Sequence, residues 1–245
     1  MKRILVVSDM HCGHTRGLSP WDNYSSDISN FLYNKWKEMI KYVGDVDMVI
    51  VNGDCVDGSN YKDDGFGLFT SDIHEQCMMV RDLLEPFRMM GVQFVFTDGS
   101  KYHVGSNLNG DRISCMLLGG EWLGKDGFIQ AENIKIHARH VINYSSQPNS
   151  RATAQRGEQT IAAMQDEDVD IFIRSHTHKF VYSGNERYLH ITTPCWKGVD
   201  DFIRRKSIEK SDCGWVLITV NGSEYSWEHH VFRIPDVYER QTITL

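Results

Sequence analysis

The feature that most restricts this chain is a repeated pairing of a short apolar run with aspartate or histidine just after it. Ile4-Leu5-Val6-Val7 leads into Asp9-Met10-His11, and Met48 to Val51 leads into Gly53-Asp54, with Asp57 beyond. Val92 to Thr97 leads into Asp98-Gly99-Ser100-Lys101-Tyr102-His103. Phe128 to Ile142, one or two strands, runs through His137 and His140, and Ile171-Phe172-Ile173 leads to Ser175-His176-Thr177-His178. Unbroken apolar runs of this length predict strands buried on both faces. Asp27 to Val43 carries Ile28, Phe31, Leu32, Trp36, Met39 and Ile40 at helical spacing, and Gly44 stops it. Ser71 to Met90 predicts a second helix, which Pro86 should kink or divide and Gly91 should end. The order βαβαβ implies parallel strands with right-handed crossovers. Ligands of such sheets sit at the carboxyl ends of the strands, so the five acidic and imidazole ends are expected along one sheet edge.

The rest of the chain is less regular. Gly110 to Gly119 reads as a short helix, Arg151 to Gln165 as a third long one, and Phe180 to Val220 as short strands and turns. Ser226 to Ile234 reads as a last strand. No repeat, linker or low-complexity stretch divides residues 1–245, so one domain that begins α/β and ends β-rich is expected. With 41% hydrophobic residues the chain has material for a core without disulfides or a structural metal. The six cysteines form no CxxC pair, and six reduced thiols fit a cytoplasmic location. No apolar run reaches the roughly 20 residues of a membrane span. Lys2-Arg3 followed by four apolar residues and Asp9 is too short for a signal peptide. A net charge of −7 argues against broad clamping of nucleic acid through a basic stripe. It leaves open a nucleic-acid substrate held locally by metals.

Each strand-end signal alone has an ordinary reading. Asp-x-His and Gly-Asp are common turn chemistry, and His-x-His in an extended segment puts both rings on one side, where they can simply face solvent. Five such ends together exceed turn chemistry. Asp and His without a cysteine cluster suit Zn, Mn or Fe rather than a structural zinc site. Five or more ligands exceed the need of one four-coordinate ion, so two ions sharing a carboxylate are expected. Such a pair lowers the pKa of a bound water and holds a phosphoryl group for in-line attack.

The order of these motifs resembles the calcineurin-like metallophosphoesterase superfamily. Its pattern is Asp-x-His, Gly-Asp-x-x-Asp, Gly-Asn-His-Asp/Glu, a lone His and Gly-His-x-His. Here it stands as Asp9-Met10-His11, Gly53-Asp54-Cys55-Val56-Asp57, a modified third motif, His140 and Ser175-His176-Thr177-His178. The Asp9 to His14 and Gly99 to Gly105 segments look like a phage-encoded branch, which would act in the cytoplasm of a bacterial host. The resemblance implies an α/β single-domain fold, a two-sheet β-sandwich flanked by helices with a dinuclear site at its rim. It implies that Asp9, His11 and His178 hold one divalent ion, that His140 and His176 hold the second, and that Asp54 bridges them. Mn is favoured, with Fe or Zn as alternatives. Ser100 takes the position of the family Asn, a poorer ligand, and His103 arrives later than the family His. His103 is favoured as the catalytic histidine over a ligand role. Ser175 replaces the usual Gly.

Other residues carry open alternatives. His137 competes with His140 for the lone-His role; His140, which ends the strand and enters the polar loop Asn143 to Asn149, is favoured. Asp57 is a carboxylate behind the ligands or a ligand itself. His14, Arg16 and Arg151 are candidates for substrate phosphate, with a solvated surface as the rival. Cys12 and Cys55 read as small buried thiols rather than ligands. Trp36 and Phe31 read as core, and Trp21, Trp122 and Trp196 as packing or, less readily, base stacking. The expected activity is hydrolysis of phosphate esters by attack of a metal-bridged hydroxide, with His103 steadying the phosphoryl charge or protonating the leaving group. Phosphodiesters, including nucleotides and nucleic acid, are favoured over monoesters. The rival class is a noncatalytic binding module on the same scaffold, motivated by the missing Asn.

Overall fold

A computed structural model describes residues 1–59, 65–104, 109–142, 150–165, 167–199 and 210–234. The loop Asn143 to Asn149 therefore lies outside the described residues. In chain order the elements are β1 (Lys2–Val7), α1 (Asp27–Val43), β2 (Met48–Val51), α2 (Ile73–Met89), β3 (Gln93–Phe96), α3 (Lys101–Val104) and α4 (Gly110–Leu118). They continue with β4 (Glu121–Trp122), β5 (Asp126–Ala131), β6 (Ile134–Arg139), α5 (Arg151–Met164), β7 (Ile171–Arg174), β8 (Val181–Gly184), β9 (Leu189–Thr192), β10 (Cys213–Asn221) and β11 (Glu224–Phe232).

The strands form two sheets, ordered β11-β10-β1-β2-β3-β4 and β5-β6-β7-β9-β8. Strands β1 to β4 run parallel, and β10 and β11 add antiparallel on the other side of β1. In the second sheet β6, β7 and β9 are parallel, with antiparallel edges β5 and β8. This corrects the expectation of a single sheet edge. The first three strand ends belong to one sheet and the ends of β6 and β7 to the other. No local pattern reveals that partition, because it depends on pairings such as Lys2 with Val220.

The apolar runs behave as their composition predicts. Ile4 and Val6 of β1 face the sandwich interior with Ile50, Val95, Ile136, Ile173, Ile191, Val216 and Ile218. Leu5 and Val7 face the opposite way, onto a cluster with Leu32, Trp36 and Met39 of α1 and Val80, Leu84 and Phe87 of α2. Both faces are dry, so alternation is absent. Helix α5 covers the second sheet, where Ala162 packs near Phe172.

Helix α1 starts in a reciprocal cap between Ser26 and Ser29. Helix α2 starts on Asp72 and runs unbroken through Pro86, which lies close enough to its end that the missing donor does not divide it. Trp36 is fully buried, as expected for core, whereas Phe31 is half-buried and meets Phe232 edge-on at 5.8 Å. Trp196 is completely buried, which settles it as packing, while Trp21 is exposed beneath the Lys37 ammonium.

Candidate metal centre

The loops after β1 and β2 continue side by side beyond the strands. Asp9 N–H donates to Gly53 O, His11 N–H to Asp54 O and Cys12 N–H to Cys55 O, each at 3.0 Å. Ser175 N–H donates to His140 O at 2.8 Å and joins the ends of β6 and β7. A buried polar seam links the sheets: Asn52 donates to Ser175 Oγ (2.6 Å), and Thr193 Oγ1 lies 2.7 Å from both Ser8 Oγ and Ser175 Oγ. These bonds satisfy groups that strand ends would otherwise leave exposed to an apolar interior. They also fix how the two sheet ends face each other.

Backbone conformation singles out the same residues. Among the described residues six non-glycines have positive φ, and five of them are Asp9 (52°), His11 (48°), Asp54 (50°), His176 (73°) and His178 (53°). Each such residue costs on the order of 1–3 kcal/mol, and such strain clusters at functional sites. The left-handed turns correct the expectation of an extended His-x-His. His176 and His178 do not stand side by side on one face; they reach two different ligand groups.

Those groups are Asp9, His11 and His178, and Asp54, His140 and His176, with ligand atoms inside each group within 4.8 Å of one another. In the first, Nε2 of His178 lies 3.1 Å from Nε2 of His11 and 3.3 Å from Oδ1 of Asp9. In the second, Nε2 of His140 is 3.0 Å from Oδ2 of Asp54, and Nδ1 of His176 is 4.0 Å from the same oxygen. Oδ1 of Asp9 is 3.9 Å from His140 Nε2 and 3.9 Å from His11 Nε2, so the Asp9 carboxylate stands between the two groups. Asp54 turns its other oxygen to Ser100, accepting from the backbone N–H at 2.7 Å and the hydroxyl at 3.3 Å.

The donor set fits divalent cations. Oδ1 of Asp9 and Nε2 of His140 are buried and make no hydrogen bond of acceptable geometry among the described residues, despite their charged neighbours. Buried atoms of this kind are expensive unless something binds them. Two Asp-His₂ groups match the ligand preferences of Mn, Fe and Zn. His140 donates Nδ1–H to Asn52 O at 2.7 Å, which directs its Nε2 into the site.

Electrostatics agree. Burial opposes ionisation of Asp9, yet His140 and His178 hold its carboxyl well below the usual carboxylate range. Asp54 is likewise held low against burial, by His140 and His103. Burial favours the neutral ring of His140, but Asp54 and Asp9 push it up to about 10. His178 is pushed up to about 9, against burial, by Cys195 and Asp9. His11 moves the other way, to about 3, from burial first and then the Lys197 charge. The buried carboxylates thus draw positive charge, which protons supply where a metal does not.

A third cluster adjoins the first. Asp57 is fully buried, and its Oδ1 accepts from His11 Nδ1 at 2.8 Å and from the Lys197 ammonium at 3.1 Å. His103, on α3, donates Nδ1–H to Asp57 O at 2.8 Å, and its ring meets that of His11 edge-on at 4.5 Å. Asp57 therefore stands behind His11. His137 lies elsewhere, on β6, stacked on Phe128 and 3.2 Å from Arg174 Nη2. His14 is buried, its Nδ1 accepting from Arg16 N–H, and the Arg16 guanidinium donates to Val199 O. Arg151 opens α5, directly after the undescribed loop. Cys12 and Cys55 are thiols that burial pushes well up, in keeping with packing rather than ligation.

Two residues escaped sequence reasoning. Asp111, buried in the first turn of α4, accepts backbone N–H bonds from Asp54 (3.0 Å), Cys55 (2.9 Å) and Gly99 (2.8 Å). Its one sequence signal, an acid in a helix first turn, normally means a dipole contact and nothing more. Lys197 follows a strand end, where a lysine has no distinguishing pattern.

Residues 2–180 match the profile of the calcineurin-like phosphoesterase family. The chain belongs to that family. No curated protein sequence matches it. Solved structures of similar fold include Zn²⁺-complexed Vps29 from Entamoeba histolytica, at 16% identity and TM-score 0.50, covering 95% of this chain and 99% of that one. Vps29 from Cryptosporidium parvum is similar at 12% identity and TM-score 0.51, covering 95% and 98%. A putative 5′-nucleotidase from Staphylococcus aureus, solved with α-ketoglutarate, is similar at 14% identity and TM-score 0.50 and covers 99% of this chain and 55% of that one. The mixed α/β fold with two sheets flanked by helices is the family fold, and the family acts on phosphate esters.

Proposed function

We propose that this protein is a dinuclear metal-dependent phosphoesterase that favours phosphodiesters, with nucleotides and nucleic acid as candidate substrates. The observation that carries the reading is the position of Asp9 Oδ1, buried and within 3.9 Å of ligand nitrogens from both groups. When bound, two divalent cations would lower the pKa of water and offset phosphoryl charge. Asp9, His11 and His178 would hold one, His140 and His176 the other, and Asp54 would be shared between them. Mn is the favoured metal, with Fe or Zn as alternatives. His103 keeps Nδ1–H on the Asp57 carbonyl, so its other nitrogen is the one available to steady a phosphoryl oxygen or give a proton to the leaving group. Ser100, at the family Asn position, gives its N–H and hydroxyl to Asp54 and so orients that carboxylate. Six free buried cysteines support a reducing, cytoplasmic setting.

The test is hydrolysis of bis-p-nitrophenyl phosphate and p-nitrophenyl phosphate by metal-depleted protein with added Mn. Two bound equivalents, faster diester turnover, and loss of both metal and turnover in Asp54→Asn are expected. A monoester preference would retire the diester assignment. Ser100 in place of the family Asn, a poorer ligand, favours a second reading, a noncatalytic binding module on the same scaffold with a degraded metal site. Fewer than two bound equivalents and no turnover on any ester of a broad panel would establish that reading instead.

A further inference from the structure

Lys197 is buried, 140 residues from its partner Asp57 in sequence, and its Nζ lies 3.1 Å from Asp57 Oδ1. The same oxygen accepts from His11 Nδ1 at 2.8 Å and lies 3.5 Å from His103 Nδ1. His11, Asp57 and His103 have the spacing of a cation site in their own right. The Lys197 ammonium stands at that carboxylate. A long lysine side chain loses much rotamer freedom on being fixed, so the surrounding chain must hold it there.

The segment after β9 does so. Trp196 N–H donates to Asp9 O at 3.0 Å, Gly198 N–H donates to Arg16 O at 2.8 Å, and Cys195 N–H donates to Asp212 O at 2.9 Å. Cys195 Sγ donates to Lys197 O at 3.2 Å. Lys197 is thus pinned on both sides to the loop that carries Asp9 and His11. Its side chain reaches Asp57.

We infer that Lys197 is a positioning residue for the first ligand group, acting through Asp57. With an ammonium on Oδ1, the carboxylate is fixed as the acceptor for His11 Nδ1–H. His11 then presents Nε2, and only Nε2, to Asp9 and His178. The ammonium also sets a positive charge at the carboxylate of the third cluster, which disfavours an added cation there. This rests on the metal-centre reading above and adds to it a residue that is itself no ligand. Outer partners of ligating histidines typically change metal affinity 10–100-fold.

The experiment is a chelator-competition titration with Zn²⁺ of wild-type protein, Lys197→Met, Asp57→Asn and the double variant, with ¹⁵N–¹H correlation of the histidine rings in metal-free protein. Lys197→Gln serves if Lys197→Met fails to fold. Lys197→Met is expected to weaken one of the two Zn²⁺ equivalents by 10–100-fold and leave the other within about twofold. The His11 resonances should show a second tautomer. Adding Lys197→Met to Asp57→Asn should cost nothing more, since the lysine acts through that carboxylate. Equal weakening of both equivalents, an additive double variant, or unchanged Zn²⁺ affinity and a single His11 tautomer would each overturn the inference. Wild-type protein that binds no Zn²⁺ would instead overturn the metal-centre reading itself.

Discussion

The Nε2 atoms of His11 and His178 stand 3.1 Å apart, with Asp9 Oδ1 3.3 Å from the second. Two imidazole nitrogens at that separation need a proton or a cation between them. Without metal, His178 and His140 are pushed up to about 9 and about 10, so both carry protons at neutral pH. An unfolded histidine titrates near about 6.5. The protons therefore stabilise the metal-free fold fully below that value, and the contribution is lost as pH rises toward 9 and 10. Metal must displace them, so its affinity rises with pH across the same range. Thermal unfolding of chelator-treated protein should give a Tm that falls from pH 6.5 to 9. Zn²⁺ affinity should rise about tenfold per pH unit for each displaced proton between pH 6 and 8. A flat affinity profile would mean that these rings are not displaced ligands.

His140 and His103 should separate in their effects. His140 is fully buried, with Nε2 3.0 Å from Asp54 and Nδ1 on Asn52 O. Its replacement by Ala removes a ligand atom and strands a carbonyl, so metal content should fall to one equivalent or less. His103 sits on a short helix with its Nδ1 on Asp57 O. His103→Ala should keep two equivalents and lower kcat by about 10²–10⁴. Elemental analysis beside kinetics decides the pair. Metal loss in both variants would make His103 a ligand.

The strength of Asp111 lies in what it holds together. Three backbone N–H groups, from the loops after β2 and β3, converge on one buried carboxylate that burial and Asp54 push up to about 6. Asp111→Ala would leave those donors unpaired at about 1–3 kcal/mol each where water cannot reach. A Tm lower by about 10 °C or more and weaker metal binding through displaced Asp54 are expected. Asp111→Asn keeps one acceptor and should lie between. Calorimetry on both variants with and without metal checks the order. Asp111→Ala within a degree or two of wild type would show the three donors finding other partners.

How far the sequence revealed these parts follows from what each depends on. Ile4 to Val7 and Met48 to Val51 announce doubly buried strands because burial on two faces is a local property of the run. Asp9, His11, Asp54, His140, His176 and His178 could be singled out because each lies within a few residues of the end of such a run, and the structure gathers their donor atoms into two groups. The division into two sheets was not, since β10 joins β1 only through pairings about two hundred residues apart. The left-handed turns at His176 and His178 were hidden because Asp and His adopt that region without a marker residue such as Gly. Asp111 and Lys197 act through contacts across the fold, and neither position differs in sequence from an ordinary helix-start acid or surface lysine. The position of His103, late against the family motif, was visible, but its carbonyl partner on Asp57 was not.

Gly99 offers the sharpest steric test. A Cβ there would lie 2.1 Å from Asp54 Oδ1, 2.4 Å from Asp54 N and 2.7 Å from Asp111 Oδ2. None of the three can yield alone. Oδ1 is held by Ser100 N–H, the Asp54 N–H is held by Asp111, and Asp111 also holds Gly99. Gly99→Ala must therefore push the two loops apart, at an overpacking cost of about 1–3 kcal/mol, and move Asp54 off His140. Gly157 is the control, with open space around its would-be Cβ and an ordinary helical conformation within α5. Gly157→Ala should raise stability by up to about 1 kcal/mol. Urea unfolding and metal content measured on both variants should move in opposite directions in stability, with metal lost from Gly99→Ala alone. Gly99→Ala with two metal equivalents and wild-type stability would mean that the loops after β2 and β3 do not meet as closely as the packing of Gly99 requires.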